Sequence, residues 1–115
     1  MPWTEQDVFD DEYVSAPSVI LSEYEFQLKD ISTRVCVRIY RDIKPPSADY
    51  PFRFESSHYI HTPTQAGPYI TSQPWATTQD EALHRAVDGL LSHYKHAVKS
   101  GHQPDKSWLI ENKGF

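Results

Sequence analysis

From Val19 to Lys29 apolar and polar residues alternate: Ile20, Tyr24, Phe26 and Leu28 take one parity, while Glu23, Glu25, Gln27 and Lys29 take the other. A period of two over this length predicts a strand with one buried face. The alternation returns from Thr33 to Ile43, with Val35, Val37 and Ile39 on one side and Arg34, Cys36, Arg38 and Tyr40 on the other. A hairpin loop over Asp30-Ile31-Ser32-Thr33 pairs Leu28 with Val35, Phe26 with Val37 and Tyr24 with Ile39, so every apolar pair falls on one face. The same register sets Glu25 opposite Arg38 and Gln27 opposite Cys36. The arginines are thereby expected as cross-strand ion-pair partners rather than as an anion site.

The stretch "KPPSADYP", residues 44–51, separates this hairpin from the next segment, because prolines cannot donate to a ladder. Residues 52–61 and 68–75 then read as a second hairpin around Thr62 to Gly67, with Gly67 available for a positive φ.

The most sharply written element is a helix. Thr78-Gln79-Asp80-Glu81 has the form of a capping box. Ala82, Leu83, Ala86, Val87, Leu90, Leu91, Tyr94, Ala97 and Val98 continue it as an apolar stripe at helical spacing. Lys95 and Lys99 suit the negative end of the macrodipole, and Gly101 supplies a C-terminal cap. The pattern predicts about 22 residues, or roughly 33 Å, of helix.

These elements make an α+β domain: a two-layer sandwich of an antiparallel four-stranded sheet, in two hairpins, with one long C-terminal helix packed on one face. Residues 1–17 are expected as an acidic, partly irregular arm, 18–101 as a single β-β-β-β-α domain, and 102–115 as a tail docked through Trp108-Leu109-Ile110. A chain of 115 residues supports one core of this kind and no second one.

Composition narrows the function classes. No run of about 18 apolar residues is present, so no membrane span is expected. The start, "MPWTEQDVFDDEYV", is acidic where a secretory signal is basic and then apolar, which makes a cytoplasmic setting the expectation. Cys36 is the single cysteine, which excludes an intrachain disulfide and a multi-cysteine zinc site. The net charge is -5, with Glu5, Asp7, Asp10, Asp11 and Glu12 clustered near the start. A nucleic-acid binder shows a basic stripe, so direct phosphate binding is not expected. The acidic segment suits a basic partner, or mimicry of nucleic acid, or simply a solvated arm.

The histidines are the main candidates for chemistry. His58 and His61 are three apart on an expected strand and so point to opposite faces, a poor chelate for one ion. Counted from Phe52 and Phe54, His58 points inward with Ile60, unless a bulge at Ser56-Ser57 reverses the parity. His93 and His96 are three apart on a helix and therefore neighbours, yet a stable zinc site needs four ligands. Cys36 stands near Arg34 and Arg38, which lower a thiol's pKa and leave a redox role open. No Gly-rich phosphate loop, nucleophile elbow or paired-carboxylate spacing is present, so no catalytic residue, cofactor site or metal site is assigned.

Arg85, Gly89, Ser92 and His96 form a stripe on the polar side of the helix. Glycine there costs about 1 kcal/mol relative to alanine, and a bare patch lets another backbone approach. With Trp75, Trp108, Asp10, Asp11 and Glu12 these residues make up the candidate interaction set; Trp3 is a further aromatic suited to a surface contact. The segment "GPYITSQPWATTQDEALHRAVDGLLSHYK" resembles the strand-to-helix part of HicB-type antitoxin domains and is loosely similar to the end of double-stranded RNA-binding domains. The chain departs from the latter pattern, since Asp80 and Glu81 occupy the turn where that family places basic residues, and no obvious helix precedes the strands. The expected function is a small non-enzymatic, cytoplasmic protein-interaction or regulatory domain that binds another protein or itself. The alternatives are a nucleic-acid-linked regulator, antitoxin-like or mimicking DNA, and a weak metal-binding or hydrolytic protein using His58, His61 or His93.

Overall fold

Strand β1 (Ser18–Phe26) pairs antiparallel with β2 (Val35–Asp42), the most deeply buried strand of the protein. Val35, Val37 and Ile39 of β2 are wholly buried, worth about 1.5–3 kcal/mol each. The computed structural model describes residues 2–115. The register of this pair is displaced by two residues from the expected one. Phe26 lies opposite Val35, Tyr24 opposite Val37, Glu25 opposite Cys36 and Glu23 opposite Arg38. The cause is the loop: Leu28 and Ile31 are core residues carried on the turn rather than on the strands. Asp30, at φ 65°, lets the chain fold over itself there, and Ile31 N–H donates to the Leu28 carbonyl at 3.1 Å. The ion pairs move with the register, so that Arg38 Nε meets Glu23 at 3.0 Å and Arg34 meets Glu25 at 3.7 Å. A bulge at Leu21 then reverses the parity of Ile20, which faces outward opposite Tyr40 and is exposed.

The sheet continues through β3 (Phe52–Ser56) to the short β5 (Trp75–Ala76), in the order β1-β2-β3-β5. It is antiparallel throughout, with one long helix on one face, as the sequence pattern implies. The expected second hairpin is formed in part. Its first strand breaks at Ser57, whose N–H donates to the Cys36 carbonyl while its hydroxyl accepts the Cys36 N–H, both at 2.8 Å. Beyond this break β4 (His58–Ile60) leaves the sheet and pairs with β6 (Leu109–Glu111) of the tail. Of the expected pairing with 68–75 only an Ile60–Tyr69 bridge and the contact of β3 with β5 remain. Gly67 does not take a positive φ. Gln65 instead braces the loop, accepting from Thr62 N–H at 2.8 Å and donating to the Ile60 carbonyl at 3.2 Å.

Helix α2 spans Gln79–Lys99, about 31 Å. The Thr78 hydroxyl accepts the Glu81 N–H at 3.0 Å, and the Glu81 carboxylate returns to Thr77 rather than to Thr78. At the other end Gly101, φ 93°, allows His102 N–H to reach the Ala97 carbonyl and Gly101 N–H the Val98 carbonyl, the two bonds of a Schellman cap. Ala82, Ala86, Leu90, Tyr94 and Ala97 face the sheet. The small ones seat the N-terminal half of α2 over Val37, Ile39, Phe54 and Ala76, while Leu90 and Tyr94 pack with Leu28, Val35, Ile60 and Trp108.

The tail begins with a 3-10 turn, Lys106–Trp108. Trp108 and Leu109 are buried, and Ile110 is on the surface. Asn112 fixes the tail to the strand break, its N–H donating to the Ser57 carbonyl and its side-chain amide to the Ser56 carbonyl. The arm is not wholly irregular. Thr4 and Asp7 form a reciprocal capping box that starts a short helix, α1 (Glu5–Phe9). Glu5 then pairs with Arg41 at 2.9 Å, and Lys44 with Asp10 at 3.5 Å. These anchors hold the arm beyond the N-terminal end of α2. The molecule is accordingly long, 62 × 24 × 24 Å, with a radius of gyration of 16.8 Å against about 13 Å for a compact domain near this size.

Candidate interaction surface

The sheet order places α2 between two different neighbours. On one flank the segment Tyr69–Pro74 runs past the helix, and the Tyr69 ring lies against Gly89 and beside His93, ring centres 5.0 Å apart. A cleft of about 150 Å³ opens below this segment, with Phe54, Ala86 and Leu90 as its apolar floor and His58, Thr71 and Arg85 around it. Arg85 is already engaged, donating to the Trp75 carbonyl at 2.8 Å and pairing with Glu81 at 3.0 Å.

Two residues along a helix turn the side chain by about 200°, so Val87 lies roughly 160° from Gly89, on the opposite flank. Leu83, Val87 and Leu91 continue that flank at intervals of one turn and are half-buried. Because β5 and Tyr69 bound the Gly89 side, this second flank faces β1, the other edge of the sheet. Tyr24 points to the same face as Val37, its opposite residue, yet remains 40% exposed. Phe26 of β1 packs against the core under the helix, and two hydrogen bonds join the helix to this edge at the ends of the strip. Gln79 Nε2 donates to Ser22 Oγ at 3.1 Å, and the Tyr94 hydroxyl donates to the Lys29 carbonyl. Between these ties the apolar strip of Tyr24, Leu83, Val87 and Leu91 has no further layer over it among the described residues.

The arm continues this surface. Arg41, which holds Glu5, lies opposite Phe52 and so on the helix side of the sheet. Trp3 is 76% exposed and Tyr13 89% exposed, with Val8 and Val14 also uncovered. The arm holds five carboxylates and no basic residue before Ser15, which equals the whole net charge of -5; residues beyond it balance to zero, 11 acidic (16 less 5) against 11 basic.

The nine residues singled out from the sequence separate into four places. Arg85, Gly89 and the Trp75 backbone meet at the cleft, while Ser92 donates to Asp88 at 3.2 Å and His96 is exposed further along. Asp10, Asp11 and Glu12 lie on the arm, and Trp108 is in the core, edge-on to Tyr94 at 5.8 Å. Tyr24, Val87 and Leu91 carry the open face, although their place in the sequence pattern is that of strand and helix core. Periodicity does not distinguish the inner from the flank positions of one apolar stripe.

The groups of chemical interest are held in the fold. Burial pushes the Cys36 thiol up, Glu25 and Glu23 act in the same direction, and Arg38 only partly opposes them. This corrects the expectation of a thiol lowered by arginines. His58 Nδ1 is 2.8 Å from the Ser57 hydroxyl, and His61 Nε2 is 3.3 Å from the Gln65 carbonyl. Among the described residues no three His, Cys, Asp or Glu side chains gather as an ion site, and no helix is long and apolar enough to cross a membrane. No family model, curated protein or solved structure matches the chain.

Proposed function

We propose that the protein is a small non-enzymatic interaction domain of the cytoplasm that works by binding protein through the β1 side of α2 and the acidic arm. The observation that carries this reading is the strip of exposed Tyr24 and half-buried Val87 and Leu91, continued by an arm whose own apolar side chains are exposed. An apolar centre rimmed by charge is the anatomy of a protein interface. Strand addition at the β1 edge is opposed by the Leu21 bulge and by Glu23 and Glu25, devices that keep an edge from pairing. The contact is therefore made by side chains of the face rather than by the β1 backbone. The Cys36 thiol, held protonated by burial and two glutamates, suits a structural part better than a nucleophilic one.

Site-specific photocrosslinking in the producing cell tests this. A benzophenone side chain at Tyr24 or at Tyr13 is expected to give a covalent protein adduct, and one at the exposed Gln73, on the Gly89 flank, is not. Absence of adducts at both tyrosines, or equal adducts at Gln73, would sink the reading.

A further inference from the structure

We infer that the occupant of this face is a second copy of the same chain, laid antiparallel along the first. The inference rests on the interaction reading above and names its partner. Its ground is that the molecule carries its own complement. One end holds the acidic arm, where among the described residues Asp11 and Glu12 have no basic side chain within 4 Å and Asp10 meets only Lys44. The other end gathers Lys29, Lys95 and Lys99, none of them in an ion pair among the described residues and all exposed, around the C-terminus of α2. These outnumber Asp30, the acidic residue beside Lys29 on the turn.

Length matches charge. The helix covers about 31 Å of a 62 Å molecule, and the arm overhangs the N-terminal end of α2. A two-fold axis at the level of Tyr24 and Val87 sets each apolar strip on its mate. The same operation carries each arm past the partner's midpoint to the lysines at the end of its helix. Both acidic-to-basic contacts then form at once, as a self-complementary interface requires. The apolar arm residues Trp3, Val8 and Tyr13 arrive beside Val98, which is uncovered near the C-terminal end of the same flank.

The test is a charge swap on the full chain. Sedimentation equilibrium is expected to give twice 13.3 kDa for the wild type. Reversing the arm, D11K/E12K, and separately reversing the other end, K29E/K95E/K99E, is expected to weaken self-association at least about tenfold in each case. All five positions are exposed and none of them is in an ion pair among the described residues, so the fold is retained. An equimolar mixture of the two variants restores both contacts and is expected to form a mixed dimer. Tyr24→Lys is expected to weaken association without changing the circular dichroism spectrum. A monomeric wild type overturns the inference, as does a mixture no tighter than either variant alone. A monomer that still crosslinks from Tyr24 to a different protein overturns the second copy and leaves the interaction reading standing; a monomer without any such adduct sinks both.

Discussion

The Tyr69 ring rests on Gly89: a Cβ built there would stand 3.0 Å from ring atom Cε2. This contact accounts for a glycine in the middle of α2, where helix propensity alone favours alanine by about 1 kcal/mol. In the native background Gly89→Ala is expected to be close to neutral in stability, since the propensity gain is offset by displacing Tyr69 from its place beside His93. In a Tyr69→Ala background the same substitution is expected to stabilise by about 1 kcal/mol. Urea unfolding of the four proteins of this cycle measures the difference, and equal effects in both backgrounds would remove the contact as the explanation.

Tyr94 and Trp108 join the tail to the rest of the core. Trp108 is 4% exposed and meets the edge of Tyr94, whose hydroxyl donates to the Lys29 carbonyl. Trp108→Ala is expected to cost about 3–5 kcal/mol, enough to remove much of the stability of a chain this size. Tyr94→Phe, which loses one hydrogen bond and keeps the ring, is expected to cost about 1 kcal/mol. Thermal melts followed by near-ultraviolet circular dichroism separate the two, and a Trp108→Ala loss below about 1 kcal/mol would show that the tail is not part of the core.

Helix α2 was legible because three local signals agree: the Thr78 cap, the apolar spacing from Ala82 to Ala97 and the Gly101 stop. Strand parity was legible on β2, where Val35, Val37 and Ile39 alternate with less buried neighbours. The register was not, because Leu28 looks like a strand residue to an alternation rule, whereas it reaches the core from the loop together with Ile31. The end of β3 was hidden for another reason. Ser57 replaces a ladder bond with its hydroxyl, and β4 finds its partner in Leu109–Glu111, far along the chain. Periodicity reports which face a residue takes and carries no term for so distant a pairing. At the candidate surface the acidic arm and Gly89 stood out as anomalies of composition and propensity. The open strip did not, since a flank residue such as Val87 and a core residue such as Leu90 are alike in an apolar pattern.

The Cys36 thiol is raised above its ordinary value of 9.0, first by burial and next by Glu25, whose carboxylate lies 3.8 Å from Sγ. Less thiolate is then present near pH 8 than for an unhindered thiol, so alkylation by iodoacetamide is expected to be slower in the native protein than in urea. Glu25→Gln removes the charge while keeping an amide oxygen that can accept from the thiol, and is expected to speed native alkylation while leaving the unfolded rate unchanged. The pH profile of the native rate should shift to lower pH in that variant. An unshifted profile would mean that access alone, and not the glutamate, controls the thiol.

The N-terminal cap of α2 predicts an acid limb to stability. The Glu81 carboxylate is held below its ordinary value of 4.5, mainly by the Thr77 hydroxyl and then by the Thr77 N–H, with Arg85 contributing less. A lowered carboxylate stabilises the folded state above its unfolded pKa, and that contribution is lost as pH falls through the folded one. The window therefore opens near pH 4.5 and extends downward. Asp7 and Asp105, each held below 3.8 by hydrogen bonds at Thr4 and Ser107, add to the same limb at slightly lower pH. Solvent reaches all three groups and screens each contribution, so the limb is shallow. Glu81→Gln is expected to lower the urea midpoint at about pH 6 and to lose less between about pH 5 and pH 3 than the wild type does. Parallel curves for the two proteins across that range would show that the charge on Glu81 adds nothing beyond what a neutral amide supplies at the cap.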